Sequence, residues 1–318
     1  MARQLCLALL AVLCLSDLAL AQFGAVETEA AGETDLFETG FKLEVFGPTV
    51  GVTATFPVPT EWEDQKAKLV GQEVTPANAS IRFVDIEGTR QARVDIPRMG
   101  AGETAQVLLR YQVQRAPIVA PSAPESLTIP ESRSLDRNQR KYLLPSPLIE
   151  SRDAKIIETA KSLEIDGGNG WNQVKAYYDF VHENITYENG PMKGAVAALD
   201  DGRGDCEEMT TLFVALCRAG DVPARTVWVP GHCYPEFLTK TADGTNRWVA
   251  VEMTNNFPFG QSPEKRPILQ KGDSFRLPGN RKPQHYVKQE LAIRDYKGTT
   301  SPVITWLPPP GKEPPRAD

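Results

Sequence analysis

The spacing of apolar residues changes along this chain, and this change constrains the fold more than any other feature. From residue 35 to about residue 117, apolar and polar residues alternate with a period of two, most clearly in the run 107–113. Glycine and proline breaks separate these stretches, a pattern typical of the short strands of a β-sandwich. From about residue 145 the period becomes 3.6, and alternating stretches follow after residue 224. The sequence therefore predicts an α+β fold in which an all-β sandwich precedes a core of helices and strands.

These changes also give the domain organisation. We predict a signal peptide at 1–21, a mobile arm at 22–34, a β-sandwich domain at 35–117, a proline-rich linker at 118–144, a second domain at 145–306 and a disordered proline-rich tail at 307–318. Six prolines between residues 117 and 147 exclude a long helix or a central strand from the linker.

The first residues have the three parts of a cleavable export signal. Arg3 supplies a positive charge, an apolar run extends from Leu5 to Leu15, and an A-x-A cleavage site ends at Ala21. The apolar run is shorter than the ~20 residues that a membrane-spanning helix needs. We therefore expect a secreted or periplasmic protein, released by cleavage near Ala21 and without a membrane span.

Cleavage there leaves Cys206, Cys217 and Cys233 in the mature chain. An odd number of cysteines in an oxidising compartment leaves at least one thiol free, and so few cysteines do not form a disulfide scaffold. The formal net charge of −6 argues against nucleic acid as a partner.

The second domain contains three predicted helices, and the third begins at Cys206. Residues at helical spacing from Met209 to Leu216 form its apolar stripe, and Gly220 ends it. At 100° per residue Cys206 lies on the packed side of this helix, whereas Glu207 and Glu208 point away. A helix N-terminus lowers the pKa of a thiol, so the position suits a nucleophile.

Ser151 is the expected N-terminal cap of the first of the three predicted helices.

Two further residues complete a catalytic set. His232 begins a predicted strand, and Glu252 ends the next one. Between these strands lies Asp243-Gly244, a strong hairpin signal that would return Glu252 to the side of His232. A thiol, an imidazole and a carboxylate in contact are the parts of a cysteine nucleophile, its base and the group that orients the base.

Other interpretations of the same residues are weaker. Each of the three candidates has an ordinary structural role when taken singly, but their joint arrangement favours catalysis. Cys206 and Cys217 lie about 16 Å apart along one helix at ~1.5 Å per residue, so they cannot share a metal ion. We expect no metal and no cofactor, and we interpret His182 and His285 as incidental. The tripeptide Arg203-Gly204-Asp205 matches a cell-adhesion motif only at the level of chance.

The residues around the candidates resemble the transglutaminase-like superfamily. The run from Gly204 to Arg225 is similar to its pattern G-x-C-x-x-x-a-x-L-x-x-a-L-x-R-a-x-G-i-P-A-R, 232–237 to its H-x-W-x-E-v segment, and 248–254 to its W-v-x-v-D-p-T segment. Residues 178–187 resemble the helix ending in n-I-x-Y. The resemblance covers about residues 145–260 and implies a papain-like fold, with a cysteine-bearing helix packed on an antiparallel sheet.

The resemblance also implies a function. Cys206, His232 and Glu252 take the places of the catalytic triad, with glutamate where the family usually has aspartate. The expected activity is thioester-forming cleavage of peptide or carboxamide bonds, on a peptide or protein substrate. Cross-linking by transamidation is the alternative enzyme reaction, and a non-catalytic binding module that kept the fold is the alternative class.

Overall fold

The computed structural model of the protein describes residues 34–166, 170–255 and 257–307. The predicted signal peptide, nearly all of the predicted arm and all but the first residue of the predicted tail lie outside the described residues. No helix in these ranges is long and apolar enough to span a membrane.

The N-terminal region consists of antiparallel strands. They are β1 (Thr34–Glu44), β2 (Thr49–Val58), β3 (Gln65–Thr75), β4 (Ser80–Ile86), β5 (Thr89–Met99) and β6 (Thr104–Arg115). One sheet includes β3, β6 and β1, and a second sheet includes β4, β5 and β2. A shared apolar cluster lies between them, with Phe41 of β1 in edge contact with Phe56 of β2 at 6.3 Å. The sandwich expected from the alternating pattern is thus confirmed.

A helical region follows the proline-rich stretch. Its elements are short turns at Pro124–Ser126, Ser132–Ser134 and Lys141–Leu143, with α1 (Arg137–Arg140), α2 (Ala154–Ser162), α3 (Gly170–Asn184), β7 (Thr186–Tyr187), α4 (Ala195–Asp201), β8 (Arg203–Gly204) and α5 (Cys206–Ala219). α2 is capped by Asp153, whose carboxylate accepts the Lys155 N–H at 2.9 Å, so Ser151 is not its cap.

The remaining strands are β9 (Ala224–Val229), β10 (His232–Lys240), β11 (Asn246–Ala250), β12 (Gln270–Lys271), β13 (Glu290–Tyr296) and β14 (Val303–Leu307). β9, β10 and β11 pair antiparallel in chain order. Helix α5 packs on β9 and β10 and shares one apolar core with α2 and α3. A cysteine-bearing helix on an antiparallel sheet is the predicted core, and this part of the fold prediction is confirmed.

The last two strands correct one predicted boundary. The sequence predicts residues 290–306 in the second domain, but β13 pairs with β2 and β14 pairs with β1. Trp306 of β14 lies 5.4 Å from the ring of Phe41, inside the sandwich core. The C-terminal strands therefore complete the N-terminal sheets. The rest of the domain division stays a prediction.

The two regions share a sheet. The order β11-β10-β9-β12-β5-β2-β13 is continuous, because Gln270 of β12 pairs with Trp228 of β9 on one side and with Thr89 of β5 on the other. Lys271 of β12 forms buried ion pairs at this junction with Glu236 of β10 at 2.7 Å and with Asp64 at 2.8 Å.

Candidate active site

Cys206 is the first residue of α5. The Asp205 carboxylate accepts the Glu207 N–H at 2.8 Å, and the Glu208 carboxylate accepts the Asp205 N–H at 3.1 Å, which forms a capping box. This cap fixes the start of the helix, so the Cys206 sulfur lies at the positive end of the helix dipole. The side chain is partly exposed, as an attacking group requires.

His232 and Glu252 come together through the predicted hairpin. His232 is the first residue of β10, and Glu252 follows β11 by two residues. The imidazole Nε2 lies 3.2 Å from both carboxylate oxygens of Glu252. The Glu252 carboxylate also accepts the N–H of Thr254 at 3.0 Å, its hydroxyl at 2.8 Å, and the Ser262 hydroxyl at 3.3 Å. Glu252 is therefore held from several sides while it orients the ring.

The thiol of Cys206 lies next to the His232 ring and the Cys233 thiol. Since Nε2 faces Glu252, the ring nitrogen left for Cys206 is Nδ1. All three residues predicted for the site thus meet at one place. Cys233, which the sequence analysis did not assign to the site, lies against Cys206 as well.

These contacts favour the ionised forms of all three side chains. Hydrogen bonds from Cys233 and then His232 lower the pKa of Cys206 to about 5, against the effect of burial. Burial lowers the pKa of His232, but hydrogen bonds to Cys206 and Glu252 outweigh it and raise the value to about 9. Burial likewise raises the pKa of Glu252, and its bonds to His232 and Thr254 bring it to about 2. At neutral pH the site holds a thiolate, an imidazolium and a carboxylate.

Glu207 and Glu208 differ from their expected positions. Both are buried, although the helical spacing places them away from the packed side. Glu208 accepts the Lys193 N–H at 2.9 Å in addition to its capping bond. Burial and the nearby acidic groups raise the pKa of Glu207 to about 9, and burial lowers that of His285 to about 4. The 3.4 Å contact between Glu207 and His285 therefore joins two neutral groups and is not an ion pair.

A cavity of about 570 Å³ opens beside Cys206 and His232. Its apolar walls come from several elements, namely Phe37 and Pro57 of the sandwich, Met192, Trp228, Leu269 and Val287. Such a volume lies in the range of pockets that bind small ligands. A larger cavity of about 1010 Å³ beside Lys141 and Asp273 contains none of the three candidates.

The described residues contain no group of three or more His, Cys, Asp or Glu side chains arranged to hold a metal ion. The ring of His182, interpreted as incidental, packs at an angle of 45° against Tyr178, with the ring centroids 4.3 Å apart.

Comparison with known proteins gives one family. Residues 157–253 match the sequence profile of the transglutaminase-like superfamily, a range that includes Cys206, His232 and Glu252. No curated protein matches the chain in sequence.

One solved structure shares the fold, and two others align with lower structural similarity. A proposed cysteine protease from Cytophaga hutchinsonii is similar over 87% of this chain and 99% of its own, with 19% identity and a TM-score of 0.55. A proposed protease from Parabacteroides distasonis aligns over 72% of this chain and 48% of its own, with 14% identity and a TM-score of 0.30. The periplasmic domain of TgpA from Pseudomonas aeruginosa, bound to ethylmercury, aligns over 68% and 89%, with 16% identity and a TM-score of 0.34. The core at residues 157–253 thus matches the transglutaminase-like superfamily in sequence profile, and the chain shares the fold of the Cytophaga hutchinsonii protein.

Proposed function

We propose that the protein is an exported cysteine hydrolase that cleaves peptide or carboxamide bonds through Cys206, His232 and Glu252. The observation that carries the proposal is the contact of these three side chains beside an open cavity. A structural cysteine has no need of a pKa lowered to about 5 or of a clamped histidine.

The reaction follows from the geometry. The Cys206 thiolate attacks the carbonyl carbon of the substrate, and the resulting oxyanion lies near the Cys206 N–H at the start of α5, since the capping box takes the next two N–H groups. The His232 imidazolium donates its Nδ1 proton to the leaving amine as the C–N bond breaks, which leaves a thioester on Cys206. His232 then takes a proton from water, whose oxygen attacks the thioester. Release of the acid restores the thiolate and the imidazolium.

Hydrolysis is favoured over transamidation by likeness to the Cytophaga hutchinsonii structure, a proposed cysteine protease whose full length this chain covers almost completely. A peptide or protein substrate fits the open cavity of about 570 Å³, which has room for a short stretch of peptide.

A turnover assay tests the proposal. The mature protein is incubated with a denatured protein and with a peptide library, and new amino termini are identified by mass spectrometry. We expect cleavage by the native protein and by Cys217→Ala, which removes a buried thiol elsewhere on α5, and none by Cys206→Ala. A parallel reaction with a labelled primary amine detects transamidation. Incorporation of the amine without new termini would show that the protein cross-links and does not hydrolyse. Failure of Cys206 to react with any substrate or alkylating agent would favour a non-catalytic binding module.

Export is part of the same proposal. Expression of the full chain in a bacterium, followed by fractionation and amino-terminal sequencing, should give a protein that begins at Gln22. A chain retained in the cytoplasm with Arg3 intact would contradict it.

A further inference from the structure

Cys233 directly follows His232 on β10, and its side chain points the other way. Phe237, on the same face of the strand, packs against Phe213 of α5 at 6.5 Å, whereas Tyr234 lies in a separate cluster on the opposite face. Cys233 therefore faces α5 beneath Cys206 and is 1% exposed. His232 and Cys233, neighbours on one strand, thus both lie beside Cys206, and Cys233 is the one on the buried side.

The Cys233 thiol has two acceptors within reach. Its S–H donates to the Cys206 carbonyl oxygen at 3.6 Å, and the Cys206 sulfur lies beside it. A thiol carries one proton on a freely rotating S–H bond. When Cys206 is neutral, the carbonyl oxygen is an adequate acceptor. When Cys206 is ionised, its sulfur is the stronger acceptor, because a hydrogen bond to a charged group is stronger than one to a neutral group.

The proton stays on Cys233 for a structural reason. Burial raises the pKa of Cys233 well above its ordinary value, and the adjacent Cys206 raises it further. Thr210, one turn along α5 from Cys206, is fully buried, and its hydroxyl has no hydrogen-bond partner among the described residues. Cys233 is thus enclosed as a neutral donor, while Cys206 opens to the cavity.

We propose that Cys233 is a positioning residue for the nucleophile, whose thiol donates a hydrogen bond to the ionised Cys206 sulfur and so favours the reactive form. This inference rests on the proposed function, because it assigns to Cys233 a part in activating Cys206.

Other titratable groups face Cys206 as well. They come from each neighbouring element, namely His232 of β10, Tyr187 of β7, Asp205 and Glu207 at the start of α5, and Arg266 from the loop before β12. A test of Cys233 must therefore leave all of these in place.

Substitution at position 233 meets this condition. We measure the rate of Cys206 alkylation by iodoacetamide against pH in the native protein, Cys233→Ala, Cys233→Ser and Cys217→Ala. In Cys233→Ala, which has no donor, we expect the midpoint to move up by about one pH unit or more. Cys233→Ser keeps a donor and should stay close to the native midpoint. Cys217→Ala loses an equally buried thiol that lies far along α5, and its midpoint should not move.

Two outcomes would overturn the inference: a folded Cys233→Ala with the native midpoint, or a Cys233→Ser midpoint displaced as far as that of Cys233→Ala. If Cys233→Ala fails to fold, infrared spectroscopy on Cys217→Ala decides. The S–H stretching band of Cys233 should move to lower frequency as Cys206 ionises, and a band that does not move would contradict the hydrogen bond. Neither measurement needs a substrate. If the turnover assay fails but the alkylation midpoint of Cys233→Ala is displaced, the proposed function is rejected and the inference about Cys233 stands.

Discussion

The Nε2 atom of His232 lies 3.2 Å from each carboxylate oxygen of Glu252, so the imidazole faces the carboxylate end-on and shares its proton between two acceptors. Thr254 and Ser262 hold that carboxylate in place. The extra methylene of glutamate, compared with the aspartate usual in the family, is thus accommodated by the chain that follows β11.

Substitution of Glu252 tests this relationship. Glu252→Gln keeps the size of the side chain but removes the charge that favours the imidazolium, so the turnover rate should fall by ~100-fold or more. Glu252→Asp should also be slower, because the shorter carboxylate falls short of Nε2. Steady-state kinetics on a cleaved peptide measures both. An aspartate variant as active as the native protein would show that the length of the side chain does not matter.

The pH dependence of turnover follows from the two shifted groups. The active pair needs Cys206 ionised, which occurs above a pKa of about 5, and His232 protonated, which occurs below a pKa of about 9. We expect kcat/KM to rise through the first value, stay level, and fall through the second. Because the groups interact, these limits belong to the pair. A profile that rises only near the ~8.5 of an ordinary thiol would exclude the ion pair.

The sandwich should influence substrate choice. Phe37 of β1 lines the cavity beside Cys206, whereas its neighbour Leu36 is 64% exposed and does not. Phe37→Ala should raise KM for peptides with a large apolar side chain by about tenfold and change kcat little, since it removes ~1–3 kcal/mol of apolar contact. Leu36→Ala is the matched control and should leave both constants unchanged. Equal effects of the two substitutions would mean that Phe37 of the sandwich makes no specific contribution to substrate binding.

Glu236 anchors the junction between the two regions. It is buried and bonds to Lys271 and Arg225. Burial raises its pKa, but these two cations outweigh burial and bring it to about 2. Because the folded pKa lies below the ordinary 4.5, the stabilisation is present above pH 4.5 and is lost as the pH falls towards 2.

Glu236→Gln should therefore lower the free energy of unfolding by ~3–5 kcal/mol at pH 7 and by much less near pH 2, as measured by urea titration at both values. The exposed pair of Lys288 and Glu290 serves as the control, and Glu290→Gln should change little. A loss of stability independent of pH would mean that packing, not charge, holds the junction.

The pKa shift of Glu207 makes stability depend on pH in the opposite direction. Its pKa rises from 4.5 to about 9 on folding, so the folded chain keeps a proton that the unfolded chain releases, and stability falls between these two values. Glu207→Gln removes this penalty and should increase the free energy of unfolding by on the order of 2 kcal/mol at pH 8. At pH 4 the two proteins should be equally stable. A variant less stable at pH 8 would show that the carboxyl is ionised in the folded protein.

The sequence predicts the central helix and the hairpin because their signals are local. The apolar stripe, Gly220 and the Asp-Gly turn together define α5 and bring β10 and β11 side by side, as the structure has them. The burial of Glu207 could not be predicted in this way. The residues that cover it, such as His285, come from distant parts of the chain, and the spacing along one helix carries no information about them.

The same reasoning explains the other differences. β13 and β14 are only seven and five residues long, and neither has a clear alternation of apolar and polar residues. Only their pairing with β2 and β1 assigns them to the sandwich. Cys233 could be placed on a face of its strand but not against a particular atom, because that contact depends on how α5 lies over β10.

The pairing of the two-residue strand β12 with both β5 and β9 has a consequence for how such enzymes can diversify. A domain that is joined to its neighbour only by a linker can be exchanged between proteins. Here exchange would expose the edge of β9 and remove a wall of the cavity that holds the reacting sulfur. We therefore expect new specificities in this lineage to arise by remodelling the sandwich in place, with the cysteine chemistry inherited unchanged, and not by shuffling of modules.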